Sequence, residues 1–405
     1  MDAILPPKAP PPPEAAADLV AASARAAALI AAGAARRDLD RVIPHAEVDI
    51  VRAHALQAAR VPAALGGPGA GFRDLAAIMI NLAAADPNVA QSLQSHFFFM
   101  ELLRLEGSEK HRTRLWRQVM GGAVFTNAIA ERGRKTPATF ATRLAREGEG
   151  WRLDGVKHYC TGSLVADAIY VLALDEAGRQ MVAVVPINRP GVAVQDDWDG
   201  MGQRTTGSGT VRFDGVAVAA GDAFALMLWG RRRTHLSATA QLCHAAIDAG
   251  IARGALDDGL RHLRAMARAP AAGAPDVVSE DPYLLHAAGE FDVEARAAGA
   301  AIAHAAEALE VAAAVAPDAP AYEEACVSAS LAVAAAKAVA TAAALRVSEG
   351  IFRMFGASAT DRQLNLDRHW RNARTHTTHD PVAMKYRALG DFLVNGRPPS
   401  LTEKI

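Results

Sequence analysis

The chain has 405 residues, 51% of them apolar but only 5% aromatic, enough for two or three domains built on close-packed, alanine-rich helices. A formal net charge of -1 excludes a global field that would gather nucleic acid or an anionic membrane. Cys160, Cys243 and Cys326 are far apart with no CxxC, which argues against a structural zinc and for a reducing, cytoplasmic compartment.

Residues 1–13 are mostly proline and alanine and read as an extended or disordered tail. An alanine-rich helix is expected over 14–35 and a second over 39–59, followed by a turn-rich break at 61–69. Residues 72–85 read as helix, and Asp86-Pro87 is a good start for the next, which carries Gln91, Ser95, His96 and Phe97-Phe98-Phe99. Gly107-Ser108 opens a further helix, and Gly121-Gly122 ends the helical region.

The pattern then changes to short strands at 124–129, 142–145, 168–174, 180–186, 192–195 and 209–213. Residues 151–160 read as a hairpin turning at Asp154-Gly155. From Trp229 the helical pattern returns. The apolar run 325–345 has the length of a membrane span, but it contains Ser328, Ser330, Lys337 and Thr341 among weakly apolar alanines and reads as a buried bundle helix. The expected class is α+β, with an N-terminal helical domain (14–120), a middle antiparallel β-barrel or sandwich domain (121–228) and a C-terminal four-helix bundle (229–405).

Near the C-terminus, residues 370–381 collect one indole, two guanidiniums and the imidazoles of His376 and His379 before Asp380-Pro381. The two histidines are three apart and share a face if the segment is helical. Such a cluster is either a surface coil or the wall of a site.

Two segments carry a resemblance. Residues 155–167, Gly-Val-Lys-His-Tyr-Cys-Thr-Gly-Ser-Leu-Val-Ala-Asp, match a G-x-K-x-W-I-T-N-x-x-x-A-D pattern. Residues 202–218, running from Gly202-Gln203-Arg204 to Val216-Ala217-Val218, match G-x-R-x-S-x-T-x-x-x-F-x-x-V-x-V. In this order they resemble the acyl-CoA dehydrogenase superfamily. Residues 127–133, Asn-Ala-Ile-Ala-Glu-Arg-Gly, stand where dehydrogenases carry T-E-P-x-x-G-S, and residues 376–381 resemble the H-T-x-H-D-P core of the dibenzothiophene monooxygenase branch and its sulfur-acquisition oxidoreductase (SfnB-type) subgroup.

That resemblance implies a two-component monooxygenase. It would use FMN as FMNH2, with FAD less favoured, and O2, through a C4a-(hydro)peroxyflavin, to oxygenate a small organosulfur compound. A separate flavin reductase is expected, since no G-x-G-x-x-G follows a strand. The resemblance also implies a homotetramer, and neither nucleic acid nor membrane is an expected partner. The alternatives are an FAD-dependent acyl-CoA dehydrogenase and a non-catalytic flavin-binding member. The first needs a glutamate base, yet no Glu occurs in 221–279 or 351–390.

The resemblance also implies roles for residues. Thr161 would face the flavin N5, Asn127 the ring edge, and His379 would supply a proton with His376 orienting it. His96 and Ser95 lie on a helix the family packs over the flavin. Ala128, Ile129, Ala130, Glu131, Arg132, Tyr159 and Cys160 would line the cofactor, with Trp198 near the ring. Arg268, with Arg264 second, would reach the flavin phosphate, and Ala357-Ser358 would approach the phosphate of a partner subunit. Residues 131–140 would form a lid.

Overall fold

The computed structural model describes residues 18–133, 140–265, 277, 280–401 and 405. The expected tail at 1–13, Arg268 and the greater part of the expected lid (134–139) lie outside the described residues.

Among the described residues, six α-helices come first: α1 (Leu19–Ala31), α2 (Ala34–Asp40), α3 (His45–Ala53), α4 (Phe72–Ala85), α5 (Pro87–Glu106) and α6 (Glu109–Met120). The helix expected over 39–59 is broken. Arg41 takes a left-handed φ of 53° that caps α2, and Pro44, whose ring fixes φ and removes a donor, stands at the N-cap of α3. α5 begins as its sequence suggests, with Pro87 in the first turn and the Asp86 carboxylate accepting the Asn88 N–H at 3.0 Å. Every residue from Pro87 to Leu103 is buried, so α5 is a central helix with no solvent face.

Among the described residues, the middle unit is one sheet of eight strands: β1 (Phe125–Ala128), β2 (Arg143–Glu147), β3 (Gly150–Lys157), β4 (Ala168–Leu174), β5 (Gln180–Pro186), β6 (Val192–Val194), β7 (Val211–Val218) and β8 (Ala223–Ala225). The order is β6-β7-β3-β2-β4-β5-β8, with β1 on β4. Two details depart from expectation. The sheet is mixed, because β1 and β2 each pair parallel with β4. Asp154-Gly155 is also not a hairpin turn. β3 runs through it, and the register on β7 shifts between Leu153 and Gly155. Gly155 has φ 156°, and a Cβ there would lie 2.4 Å from Thr142 Oγ1, so the glycine serves a bulge and a close approach. The actual hairpin joins β2 to β3 through Gly148-Glu149.

The C-terminal helices are α7 (Leu236–Ala265), α8 (Pro282–Ala314), α9 (Tyr322–Gly350), α10 (Asp367–Thr377) and α11 (Val382–Asn395). α7, α8 and α9 pack on one another, and α10 and α11 lie against α9. Small residues permit a close crossing of α4 on α7. A Cβ at Gly250 would meet Ala83 at 2.4 Å, and one at Gly254 would meet the Ala84 carbonyl at 2.3 Å. By length and composition, Pro282–Ala314 and Tyr322–Met354 could each cross a membrane. In this fold the second contributes Val333, Ala336, Ala340 and Val347 to the core shared with Phe72, Leu82, Phe97, Leu242 and Ile247. The N-terminal helices and the bundle thus have a common interior. A second cluster, including Phe99 and Tyr170 stacked at 4.5 Å, seats α5 on the sheet.

Candidate functional site

One face of α5 ties three parts of the chain together. The Asn88 carboxamide oxygen accepts the Thr205 N–H at 3.2 Å. Gln91 Oε1 lies 3.2 Å from His376 Nε2 on α10. Gly162 lies so near the Ser92 carbonyl that a Cβ would come within 2.7 Å. Ser95 Oγ is 3.4 Å from Thr126 Oγ1. These positions are three or four apart, the helical repeat that lines up one stripe. The loop between β6 and β7 docks on α10 as well, where Gln203 N–H donates to Asn372 Oδ1 at 2.6 Å. The ends of β1 and β3, the 198–208 loop, α5, α7 and α10 therefore converge.

On the sheet side, segments 126–130 and 158–161 run together. His158 N–H donates to the Ala130 carbonyl at 2.9 Å, and the Thr126 hydroxyl donates to the Thr161 carbonyl. Thr161 is half-buried, and its hydroxyl lies 2.8 Å from Ser208 Oγ. Asn127 is half-buried, and its carboxamide has no hydrogen-bond partner among the described residues. Tyr159 is exposed with φ 58°, and its ring meets Trp198 edge-on at 6.4 Å while Arg132 Cζ lies 5.6 Å from its centroid. Trp198 Nε1–H donates to the Gln203 carbonyl at 2.8 Å.

On the helical side lies a buried ionic chain that composition did not reveal. Lys337 Nζ donates to Asp248 Oδ2 at 2.6 Å, Thr341 Oγ1 to the same oxygen at 2.8 Å, and His376 Nδ1 sits 2.5 Å from Asp248 Oδ1. His376 Nε2 lies 3.1 Å from His244 Nδ1. The His244 ring lies against that of His379, tilted by 32° with centroids 4.4 Å apart, and His379 Nδ1 is 3.3 Å from Asp380 Oδ2, which also accepts from Gln241 at 2.7 Å. Burial pushes the Asp248 carboxyl up, but Lys337 and His376 outweigh it and hold it at about 2. Burial lowers both His376 and His244, the latter further because two imidazoles face it. Both therefore stay neutral near pH 7. With Asp248 accepting from His376 Nδ1–H, His376 Nε2 is left to accept from His244 Nδ1–H, and the Gln91 carboxamide must then present its NH2 to that nitrogen.

Not every expected site residue faces this convergence. His96 is a core residue. Its Nε2 donates to the Gln57 carbonyl at 2.8 Å, its Nδ1 accepts the Phe125 N–H at 3.1 Å, and its ring stacks on Phe125. Both nitrogens are committed to backbone, so it has no proton to exchange with a ligand. Ser95 is buried beneath the β1 end and faces Thr126. Ala128 is buried in the ladder with β4, and Cys160 is buried with its thiol pushed up to about 12, so neither side chain can reach a ligand. The Glu131 carboxylate turns inward to Lys157 Nζ (2.7 Å), Thr142 Oγ1 (2.7 Å) and the Ala141 N–H (2.7 Å) and pins the 140–142 segment. Ile129 is half-buried beside it, its carbonyl accepting from Lys157 Nζ at 3.2 Å. Ala357 and Ser358 lie on an exposed 3-10 turn after α9 (Gly356–Thr360), with no described contact to this convergence. Arg264 is exposed at the end of α7. His379 is half open, with 54% of its side chain exposed, but its ring rests on the buried imidazole chain. His244, Asp248 and Lys337 were missed. Their one sequence signal is polarity at helical spacing inside alanine-rich runs.

The His96 assignment has a measurable consequence. Burial lowers its imidazole to about 4, below the ordinary 6.5. The unfolded chain therefore binds a proton that the folded one refuses. Stability from this group is complete above pH 6.5 and declines as pH falls towards 4, by about 3 kcal/mol in all. His96→Gln is expected to cost stability at pH 7 but to flatten the acid limb of a denaturation series between pH 6.5 and 4. An unchanged limb would show that His96 is not held neutral.

The chain matches the acyl-CoA dehydrogenase N-terminal domain over residues 14–123, the middle domain over 127–216 and the C-terminal domain over 242–383. It is 33% identical over 383 residues to dibenzothiophene monooxygenase of Rhodococcus qingshengii, covering 90% of each chain. It is 31% identical over 379 residues to a probable FMNH2-dependent monooxygenase, SfnC, of Pseudomonas putida, covering 91% of this chain and 92% of that one. The crystal structure of TdsC from Paenibacillus sp. A11-2 with FMN and indole superimposes with a TM-score of 0.86 at 28% identity, over 96% of this chain and 100% of that one.

Proposed function

Since the chain belongs to the acyl-CoA dehydrogenase family and its similar relatives are monooxygenases, we propose that it is an FMNH2-dependent monooxygenase acting on a small organosulfur compound. The observation that carries this reading is the histidine chain. Where a thioester-oxidising relative needs a carboxylate base, this chain gathers His379, His244 and His376. Of the buried carboxylates, Asp248 is taken by Lys337, Thr341 and His376, Glu101 by Arg60 (2.7 Å) and His235 (3.2 Å), and Asp380 by Gln241 (2.7 Å) and His379 (3.3 Å) through Oδ2, with its Oδ1 left without a hydrogen-bond partner among the described residues. The dehydrogenase alternative thus lacks its glutamate base.

The residues present fit a flavin. Asn127 offers an uncommitted donor and acceptor, Thr161 a hydroxyl, and Trp198 and Tyr159 aromatic surface beside them. When bound, reduced FMN supplies two electrons, so that one atom of O2 goes to sulfur and the other leaves as water. The chain's part is to bind, orient and manage protons. Asn127 and Thr161 hold the ring edge. His379, half open with its ring against that of His244, stands at the mouth as the acid–base group. The neutral His244–His376 pair, oriented by Asp248, gives the His379 ring an uncharged wall to rest against. A separate reductase supplies FMNH2. A homotetramer accords with the exposed apolar residues of α11, where Leu393 and Val394 are 82% and 81% accessible. A monomer mass by light scattering would exclude it.

The test of the activity is isotopic. The protein, FMNH2 and 18O2 are mixed with thioether, sulfoxide and sulfone substrates, and the products are weighed by mass spectrometry. One 18O atom in a sulfur product is expected. Complete diversion of the reducing equivalents to hydrogen peroxide with every substrate would overturn the proposal.

A further inference from the structure

From the hydrogen-bond chain behind Thr161 we infer that Ser208 and Thr206 are positioning residues, which make Thr161 an acceptor towards the site and so set the protein's preference for reduced over oxidised flavin. The inference rests on the proposed function, in which Thr161 meets the N5 edge of the ring.

Four groups form the chain. Thr161 Oγ1 is 2.8 Å from Ser208 Oγ, Ser208 Oγ is 2.7 Å from Thr206 Oγ1, and Thr206 Oγ1 is 2.9 Å from the Gln203 carbonyl oxygen. A hydroxyl has one hydrogen, and a carbonyl oxygen can only accept. The Thr206 hydrogen must therefore go to Gln203. Ser208 can then only donate to Thr206, and Thr161 can only donate to Ser208. The reverse order would set two oxygen lone pairs against each other at the Gln203 end. That end is itself fixed, because the Gln203 N–H is held by Asn372, its φ is 53°, and its carbonyl also accepts from Trp198 Nε1. Thr206 is buried and Ser208 nearly so, so water offers no ready alternative partner.

Thr161 thus spends its hydrogen inwards and presents lone pairs outwards. Oxidised flavin has an unprotonated N5, which would face those lone pairs without a hydrogen. Reduced flavin carries N5–H and can donate to them. Ser208 and Thr206 thus bias the redox state of the bound cofactor without touching it.

The experiment compares dissociation constants of oxidised FMN and, anaerobically with dithionite, of FMNH2, for wild type, Thr206→Val, Thr206→Ser, Ser208→Ala and Thr161→Val. Thr206→Val frees the Ser208 hydrogen to turn to Thr161, and Ser208→Ala removes Thr161's inward acceptor. Either lets Thr161 donate outwards. The ratio of oxidised to reduced dissociation constants is expected to fall roughly tenfold in both, the effect of one hydrogen bond. For a two-electron couple that is a drop of about 30 mV in the midpoint potential of the bound flavin. Thr206→Ser keeps the hydroxyl and should restore the wild-type ratio. If Thr206→Val does not fold, Ser208→Ala carries the test alone. A ratio within twofold of wild type in the folded variants, with Thr161→Val altering it, overturns the inference and leaves the proposed function standing. Wild-type protein that binds FMN in neither state overturns both.

Discussion

Lys337→Met is expected to destabilise the protein by about 3–5 kcal/mol at pH 8, the usual cost of leaving a buried charge without its partner. Lys337 and Asp248 are each almost wholly enclosed at a 2.6 Å separation, and water cannot reach the carboxylate that remains. The loss should be smaller at pH 6. Lys337 is one of the charges that keep His376 low, and without it the imidazole beside Asp248 becomes the natural counter-cation. A histidine raised above its unfolded value contributes stability that is full at low pH and is lost as pH rises through the folded pKa. Denaturant midpoints followed by helical signal at pH 6 and pH 8 give the comparison. A loss below about 1 kcal/mol at pH 8, or a loss that grows towards pH 6, would mean that Asp248 is not the anchor of the chain.

His379→Ala is expected to lower the rate of sulfur oxygenation by about two to four orders of magnitude, the usual range for a positioned acid–base group. FMNH2 affinity should change little, because Asn127 on β1 and Thr161 in the turn after β3, the residues proposed to hold the ring edge, lie on neither α10 nor the turn after it. Oxygen consumption should continue, with hydrogen peroxide replacing product. The discriminating quantity is product formed per FMNH2 consumed. An unchanged yield would place His379 among surface histidines. His379→Gln should resemble alanine, because a carboxamide keeps hydrogen bonds but exchanges no proton near neutrality.

The contrast between His379 and His96 shows how much of the site could be read in advance. Both are histidines in polar stretches, and both carry a family role by resemblance. The fold separates them, because His96 spends both nitrogens on the Gln57 carbonyl and the Phe125 N–H, whereas His379 sits half open at the end of an imidazole chain. Nothing within five residues of His96 foretells that, since Gln57 and Phe125 lie 39 and 29 positions away. Glu131 is similar. Its place in the segment after β1 was legible, but its inward turn to Lys157 depends on β3 lying alongside.

Local chemistry in the chain determined a good deal by itself. Alternation and turn residues marked seven of the eight strand regions, Asp86-Pro87 marked the start of α5, and the segments 155–167, 202–218 and 376–381 carried the family resemblance. Those features depend on neighbours in sequence, where backbone sterics, capping and side-chain spacing act directly. Only the tertiary structure decided that β1 runs parallel to β4, that Asp154-Gly155 is a bulge, and that Lys337, Asp248, His376 and His244 form one buried chain. The ion pair and the hydrogen bonds of that chain join α7, α9 and α10 across 89 to 132 positions, a distance over which no sequence period reports. Buried charge is tolerated only where a partner arrives, and that arrival is a property of the packed helices.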